Sequence, residues 1–167
     1  MESINVCFST SSGLISRAIR WFTRSVVSHA LITFRDETLG QVFVMEANGR
    51  GFMLKPWSSW RQHNKLVARY ELSATSAMQL ASLRGLGSRL GAQYDYVGIV
   101  SFAVRRFIGR LHNPLAGAST MFCSEAVAKF LLDCGYTKFE DTESWTPGDI
   151  LEELQKTPVI FKPVELA

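Results

Sequence analysis

Three side chains in this 167-residue sequence have the types needed for acyl-transfer chemistry: Cys123, His29 and Glu46. Cys123 falls at the first turn of a predicted helix, behind a loop of small residues. The positive end of a helix stabilises a thiolate and lowers a thiol pKa from its ordinary ~8.5. The N–H groups of the same turn point outward and can stabilise an oxyanion. The competing reading is a packed thiol, since a lone cysteine often behaves as a small buried hydrophobe. Cys7 lies inside an apolar run and Cys134 three turns beyond Cys123, so both read as core residues. Three cysteines are an odd number with no paired CxxC spacing, which argues against a disulfide framework or a structural zinc site.

A cysteine nucleophile needs a base. The histidines are His29, His63 and His112. His29 opens the run Ala30-Leu31-Ile32, which places its ring at the start of a strand near a sheet end, where clefts form. His63, beside Arg61 and Asn64, and His112, beside Asn113-Pro114, read as exposed loop residues. His29 is therefore either the base or a satisfied structural histidine. A third group must orient the imidazole. Glu46, in Val42-Phe43-Val44-Met45-Glu46-Ala47, is the one acid in a predicted core strand. A buried carboxylate requires a cation or hydrogen-bond donor. Its partner is either His29 on the adjacent strand or an arginine such as Arg50 or Arg69, which would make it purely structural. His29, Glu46 and Cys123 are all zinc-binding types, but nothing supplies the paired spacings of common sites, so no metal or cofactor is expected.

The elements that must position these residues follow from pattern. Ile4 to Phe8 is a buried-strand run, and Ser9-Thr10-Ser11-Ser12 offers helix caps. Leu14, Ile15, Ala18, Ile19 and Phe22 recur at helical spacing with Arg17, Arg20 and Arg24 on other faces, which predicts a basic amphipathic helix. Ser28 to Phe34, Val42 to Ala47 and Gly51 to Leu54 form a predicted meander, with a further strand over Leu66 to Leu72. Helices are predicted over Ser73 to Leu90, Tyr96 to Phe107 and Phe122 to Leu132, the last stopped by Gly135. Gly109 to Thr120 reads as a surface loop. Thr146-Pro147-Gly148-Asp149 opens a final helix with cap, proline and acid in order. Val159 to Val164 suits a sheet edge, where proline is tolerated. The expected fold class is α+β, as a single domain over residues 1–167.

Composition limits the alternatives. With 47% hydrophobic and 20% charged residues the chain can bury an ample core. The longest nearly uncharged apolar run, Val97 to Val104, is far short of the ~20 residues of a membrane-spanning helix. The start, Met1-Glu2-Ser3-Ile4-Asn5, carries no secretory leader, which gives a cytoplasmic expectation. Through Asn113 there are 14 basic against 6 acidic residues, and from Pro114 onward 4 against 9. Such asymmetry first reads as mutual attraction within one fold. The scattered arginines, with no recognised binding motif, argue against nucleic acid. Two basic stretches, one with Arg17, Arg20, Trp21, Phe22 and Arg24 and the other with Arg105, Arg106 and Arg110, are compatible with peripheral contact at an anionic membrane, although a core-facing helix is the first reading of each.

The motifs Thr23-Arg24-Ser25-Val26-Val27-Ser28-His29-Ala30, Val44-Met45-Glu46-Ala47, Gly91-Ala92-Gln93-Tyr94-Asp95, Phe122-Cys123-Ser124-Glu125 and Thr146-Pro147-Gly148-Asp149, taken as an ordered set, resemble the permuted papain-like branch of the NlpC-type cysteine hydrolases and within it the YiiX-like group. More distantly the chain is similar to the lecithin retinol acyltransferases. The resemblance implies a circularly permuted papain-like fold, an antiparallel sheet packed on helices with the nucleophile at a helix N-terminus. It implies Cys123 as nucleophile, His29 as general base and acid, and Glu46 as orienting group, in a cysteine peptidase or amidase acting on a small peptide or N-acyl amino acid. Lipid-directed acyl chemistry and a non-catalytic binding module in the same cleft are the alternatives. Tyr94 matches a family tyrosine, either near the cleft and the oxyanion or simply packed in the core. Ser28, Ser124 and Glu125 match motif positions with supporting roles, Ser28 in substrate or oxyanion binding.

Overall fold

The computed structural model describes residues 4–94 and 120–164. In chain order these are β1 (Asn5–Thr10), α1 (Leu14–Thr23), β2 (His29–Asp36), β3 (Gln41–Asn48), β4 (Gly51–Pro56), α2 (Trp57–Arg61), β5 (Lys65–Leu72), α3 (Ser76–Gly87), β6 (Gln93–Tyr94), β7 (Thr120–Met121), α4 (Cys123–Asp133), a 3-10 turn (Thr137–Phe139), α5 (Pro147–Lys156) and β8 (Phe161–Pro163). Six strands form one sheet in the order β4-β3-β2-β1-β5-β8, and every neighbouring pair is antiparallel. The fold is thus α+β.

The central strands read as continuous apolar runs because both of their faces are covered. Val6, Phe8, Ala30, Ile32, Met45 and Ala47 meet α3, α4 and α5 through Leu83, Leu86, Val127, Phe130, Leu131, Ile150 and Leu154. On the opposite face Cys7, Leu31, Val44 and Leu66 pack with Trp60 of α2. A single-residue shift of register would exchange these two sets. Phe8 and Val6 are fully buried, as the uninterrupted Ile4 to Phe8 run predicts.

Helix α4 ends as its glycine predicts: Gly135 takes φ +96, and Tyr136 N–H returns to the Leu131 carbonyl at 3.0 Å. At the start of α5, Thr146 Oγ1 accepts from Asp149 N–H at 3.1 Å while Asp149 accepts from Thr146 N–H at the same distance. The helix expected over Ser73 to Leu90 is shorter, Ser76–Gly87, with Thr75 as its cap. The short α2 and the two-residue parallel pair β6·β7 carry too little periodicity to be foreseen. The predicted Tyr96 to Phe107 helix lies outside the described residues, as does the Gly109 to Thr120 loop up to β7.

One expectation is reversed. Helix α1 is amphipathic, but its apolar face does not point at the core. Ser16 is its buried residue, while Leu14 and Trp21 are 80% and 72% exposed. The physical reason is a hydroxyl network on the polar side: Ser16 Oγ lies 2.6 Å from Ser28 Oγ, 3.3 Å from Thr10 Oγ1, and accepts Ser11 N–H at 3.1 Å. Those bonds hold the polar side inward, half-bury Ile19 and Phe22, and leave Leu14, Ile15 and Trp21 out.

Candidate active site

Strand β2 begins at His29, so its imidazole stands at the end of the sheet rather than over its middle. Counting from the paired residues Ile32 and Met45, Glu46 lies level with Leu31 and diagonal to His29 on the same face. The two side chains meet there, His29 Nε2 to Glu46 Oε2 at 2.8 Å. Glu46 is only 4% exposed, so its charge depends on what surrounds it. Trp60 Nε1–H also donates to Oε2 at 2.9 Å. The Asn48 amide and the Lys55 ammonium donate to Oε1 at 2.6 and 3.2 Å. The cations on the carboxylate are therefore the protonated His29 and Lys55, not Arg50 or Arg69. Burial pushes the Glu46 carboxyl up, but His29, Asn48 and Lys55 outweigh it and bring the pKa down to about 2.

Cys123 is the first residue of α4, and Phe122, its N-cap, is extended. Glu125, one turn in, accepts the Phe122 N–H at 3.3 Å and sits where the helix dipole favours an acid. The thiol is buried, which alone would keep it protonated. Against that, the His29 charge and hydrogen bond, together with N–H groups of Ala30 and Ser124 donated to the sulfur, bring its pKa below the ordinary thiol value. Burial likewise disfavours charge on His29, but the Cys123 sulfur and the Glu46 carboxylate overcome it and lift the imidazole to about 10. Cys123, His29 and Glu46 thus form one continuous chain of contacts, with Nε2 of His29 committed to Glu46 and Nδ1 left for the thiol.

The other cysteines have no such support. Burial drives the Cys7 thiol to about 11 despite a 3.5 Å contact with Thr33 Oγ1, and Cys134, beside Asp133, to about 12. His63 is exposed, while His112 lies outside the described residues.

Tyr94 pairs in register with Met121, two residues before Cys123, and packs against the main core. Its segment is anchored to the start of β4: Phe52 N–H donates to the Ala92 carbonyl at 2.8 Å, and Gly91 N–H returns to the Phe52 carbonyl at 2.8 Å. Gly51 takes φ +112 there, and a Cβ would come within 2.6 Å of the Ala92 carbonyl oxygen. Ser28, buried next to His29, points its hydroxyl at Ser16. Two further buried hydroxyls border the centre without a hydrogen-bond partner among the described residues, Ser9, opposite His29 in register, and Ser124, next to Cys123.

Trp60, Asn48 and Lys55 are partners of Glu46 that sequence reasoning misses. A signal exists for Asn48 and Lys55. Asn48 shares the alternation of Glu46 on β3, and Lys55 is diagonal to it across the Glu46–Met53 pair. Trp60 arrives from a five-residue helix, stacked on Trp57 with ring centroids 5.0 Å apart, and no strand pattern announces it.

This architecture has a counterpart among solved structures. The chain is similar to the crystal structure of metalloprotein yiiX from Escherichia coli O157:H7, DUF1105, with a TM-score of 0.56 at 20% identity, over 80% of this chain and 66% of that one. The two share a fold. That likeness supports the resemblance to the YiiX-like group, and this chain spans about two thirds of the length of that neighbour. No family model matches the sequence, and no curated protein matches it significantly.

Proposed function

We propose that this protein is a cysteine hydrolase of circularly permuted papain-like fold, cleaving an amide bond of the peptide or N-acyl amino acid type. The observation that carries the reading is the buried Cys123–His29–Glu46 chain, in which opposite charges favour thiolate and imidazolium together. The order of the three along the sequence is immaterial to the chemistry, which depends on their spatial arrangement.

In the proposed reaction the Cys123 thiolate attacks the carbonyl carbon, and the carbonyl electron pair moves onto oxygen. Backbone N–H groups at the start of α4 are suited to receive that oxyanion, with the Tyr94 hydroxyl a further donor. As the intermediate collapses, the carbon–nitrogen bond breaks and His29 gives its proton to the leaving amine, which leaves a thioester on Cys123. Neutral His29 then takes a proton from water. The hydroxide attacks the thioester, the acid departs, and the thiolate and imidazolium are restored. Glu46 remains ionised throughout, holding the ring and its charge in place.

The neighbour is described as a metalloprotein, and a resident ion would find His29, Glu46 and Cys123 here. The donor set does not fit one. Both Glu46 oxygens already receive two hydrogen bonds each, and the Trp60 indole and Lys55 ammonium among the donors would have to be displaced. Among the described residues no group of three or more His, Cys, Asp or Glu side chains is arranged around a cation site.

The test uses an activated acyl ester as a generic acyl donor, followed by N-acyl amino acid anilides. Intact-mass and peptide mapping should find the acyl group on Cys123, and Cys123→Ala should abolish both acylation and turnover. Turnover that survives Cys123→Ala would place the nucleophile elsewhere, and a wild-type protein that no activated ester acylates and that turns nothing over would leave a binding module in place of an enzyme.

A further inference from the structure

Helix α1 is built the wrong way round for a helix that belongs to a core. Ser16, Arg20 and Thr23 recur at i, i+4 and i+7 on one side, and that side faces the body of the protein through the Ser16–Ser28 hydroxyl pair and a buried Arg20 Nε. Leu14, Ala18 and Trp21 recur with the same spacing on the other side. Leu14 is 80% exposed, Trp21 72%, and Ile15 beside them 59%. Val26, just past the helix, adds a further apolar side chain at 69% exposure. Soluble surfaces rarely gather so many large apolar side chains on one short helix without a partner.

Charge identifies the partner. Arg17 and Arg24, both exposed, flank this apolar strip, and the sequence contains no acid between Ser3 and Arg35. A second copy of the chain docking face to face would bring like charges together around its apolar contact. An anionic lipid surface satisfies both halves at once: apolar side chains enter the headgroup and acyl boundary while arginines stay at headgroup level. Tryptophan prefers the same depth, with its ring amphipathic and its N–H at the wet side.

We infer that α1, with Val26, docks this protein onto an anionic membrane surface as an interfacial helix. Because Ser16 of α1 is bonded to Ser28, the residue before His29, docking also sets the position of the site relative to the lipid. The docking itself does not depend on whether Cys123 turns over.

The experiment is sedimentation of the full chain with vesicles of phosphatidylcholine and phosphatidylglycerol in equal parts, beside vesicles of phosphatidylcholine alone, at low and high salt. Tryptophan emission is followed in parallel. The expected result is binding to the anionic vesicles at low salt, weakened by high salt, with a blue shift of emission. Trp21→Ser and Leu14→Ser should abolish sedimentation. Arg17→Ala and Arg24→Ala should each lower partitioning by about fivefold. All four side chains are exposed, so unchanged circular dichroism and unchanged Cys123 alkylation verify that the fold is intact. No binding at low salt overturns the inference, as does binding that Trp21→Ser leaves intact. Concentration-dependent dimerisation that Trp21→Ser abolishes, without lipid binding by the wild type, would assign the face to a second copy instead.

Discussion

His29 Nε2 lies 2.8 Å from Glu46 Oε2, and this contact commits one ring nitrogen to the carboxylate and turns the other toward Cys123. A carboxylate in that position stabilises imidazolium, and imidazolium beside sulfur stabilises thiolate. The site therefore behaves as one electrostatic unit whose members cannot be removed independently.

Removing the imidazole should expose what burial does to the thiol alone. In His29→Ala the attractive charge is gone, while the desolvation that raises the Cys123 pKa remains. Alkylation of Cys123 at neutral pH is expected to slow by roughly 10²-fold or more, the usual scale for loss of a positioned base. Stopped-time alkylation with mass readout measures it, and an unchanged rate would dissociate His29 from the thiol.

Acid stability should carry the signature of Glu46. Its folded pKa, about 2, is depressed below the ordinary 4.5, so its stabilising contribution is fully present above about pH 4.5 and lost as pH falls through 2. The full loss amounts to about 3–4 kcal/mol at most, since each tenfold change in proton affinity is worth ~1.4 kcal/mol. Urea midpoints between pH 6 and 2 should show this decline in the wild type and a shallower one in Glu46→Gln. Parallel curves for the two proteins would contradict the assignment.

Trp60→Phe keeps most of the apolar contact with Leu31 and Val44 but removes the 2.9 Å indole donor from Glu46. A hydrogen bond to a charged group is worth about 1.5–3 kcal/mol, and a loss of that order in urea denaturation is expected. The same variant should move the acid limb of the stability curve upward, because Glu46 then holds its proton at higher pH. A lost stability with no movement of that limb would mark Trp60 as packing alone.

Gly51→Ala tests how the Tyr94 segment is held. A Cβ would press within 2.6 Å of the Ala92 carbonyl at a φ of +112, both unfavourable. Thermal melting should show a loss of about 2 kcal/mol or more. Retention of full stability would mean that the Phe52–Ala92 and Gly91–Phe52 hydrogen bonds do not hold this junction.

Much of the site is legible in the sequence because strand and helix periodicities are strong where they matter. The apolar run after His29 and the alternation around Glu46 place both residues on neighbouring strands, and Cys123 opens a helix whose apolar positions, Ala126, Val127, Phe130 and Leu131, are all buried. What periodicity does not contain is direction. The spacing of Leu14, Ala18 and Phe22 shows that α1 has an apolar side but not where that side points, and the Ser16–Ser28 contact that decides it joins two residues 12 apart in sequence. The partners of Glu46 are hidden for a related reason. Asn48 and Lys55 read as ordinary polar strand residues until the β3·β4 register brings them to one carboxylate, and Trp60 comes from a helix too short to show a repeat.

If His29 is the acid that protonates the leaving group, kcat/KM should fall as pH rises through about 10, where the imidazolium loses its proton. The stabilisation that the charged imidazole contributes follows the same sign: its folded pKa lies above the ordinary 6.5, so the contribution is complete below 6.5 and lost as pH passes 10. A pH–rate profile with an alkaline limb near neutrality would place the working acid elsewhere.

Activation of Cys123 as a nucleophile is read from its iodoacetamide alkylation rate against pH in the native protein, with peptide mapping to separate the three cysteines. The prediction is selective modification of Cys123, with a thiolate titrating below the ordinary thiol range and shifted upward in His29→Ala, while Cys7 and Cys134 stay unmodified until the protein unfolds. A Cys123 that is inert, or that titrates as an ordinary thiol with or without His29, would contradict it.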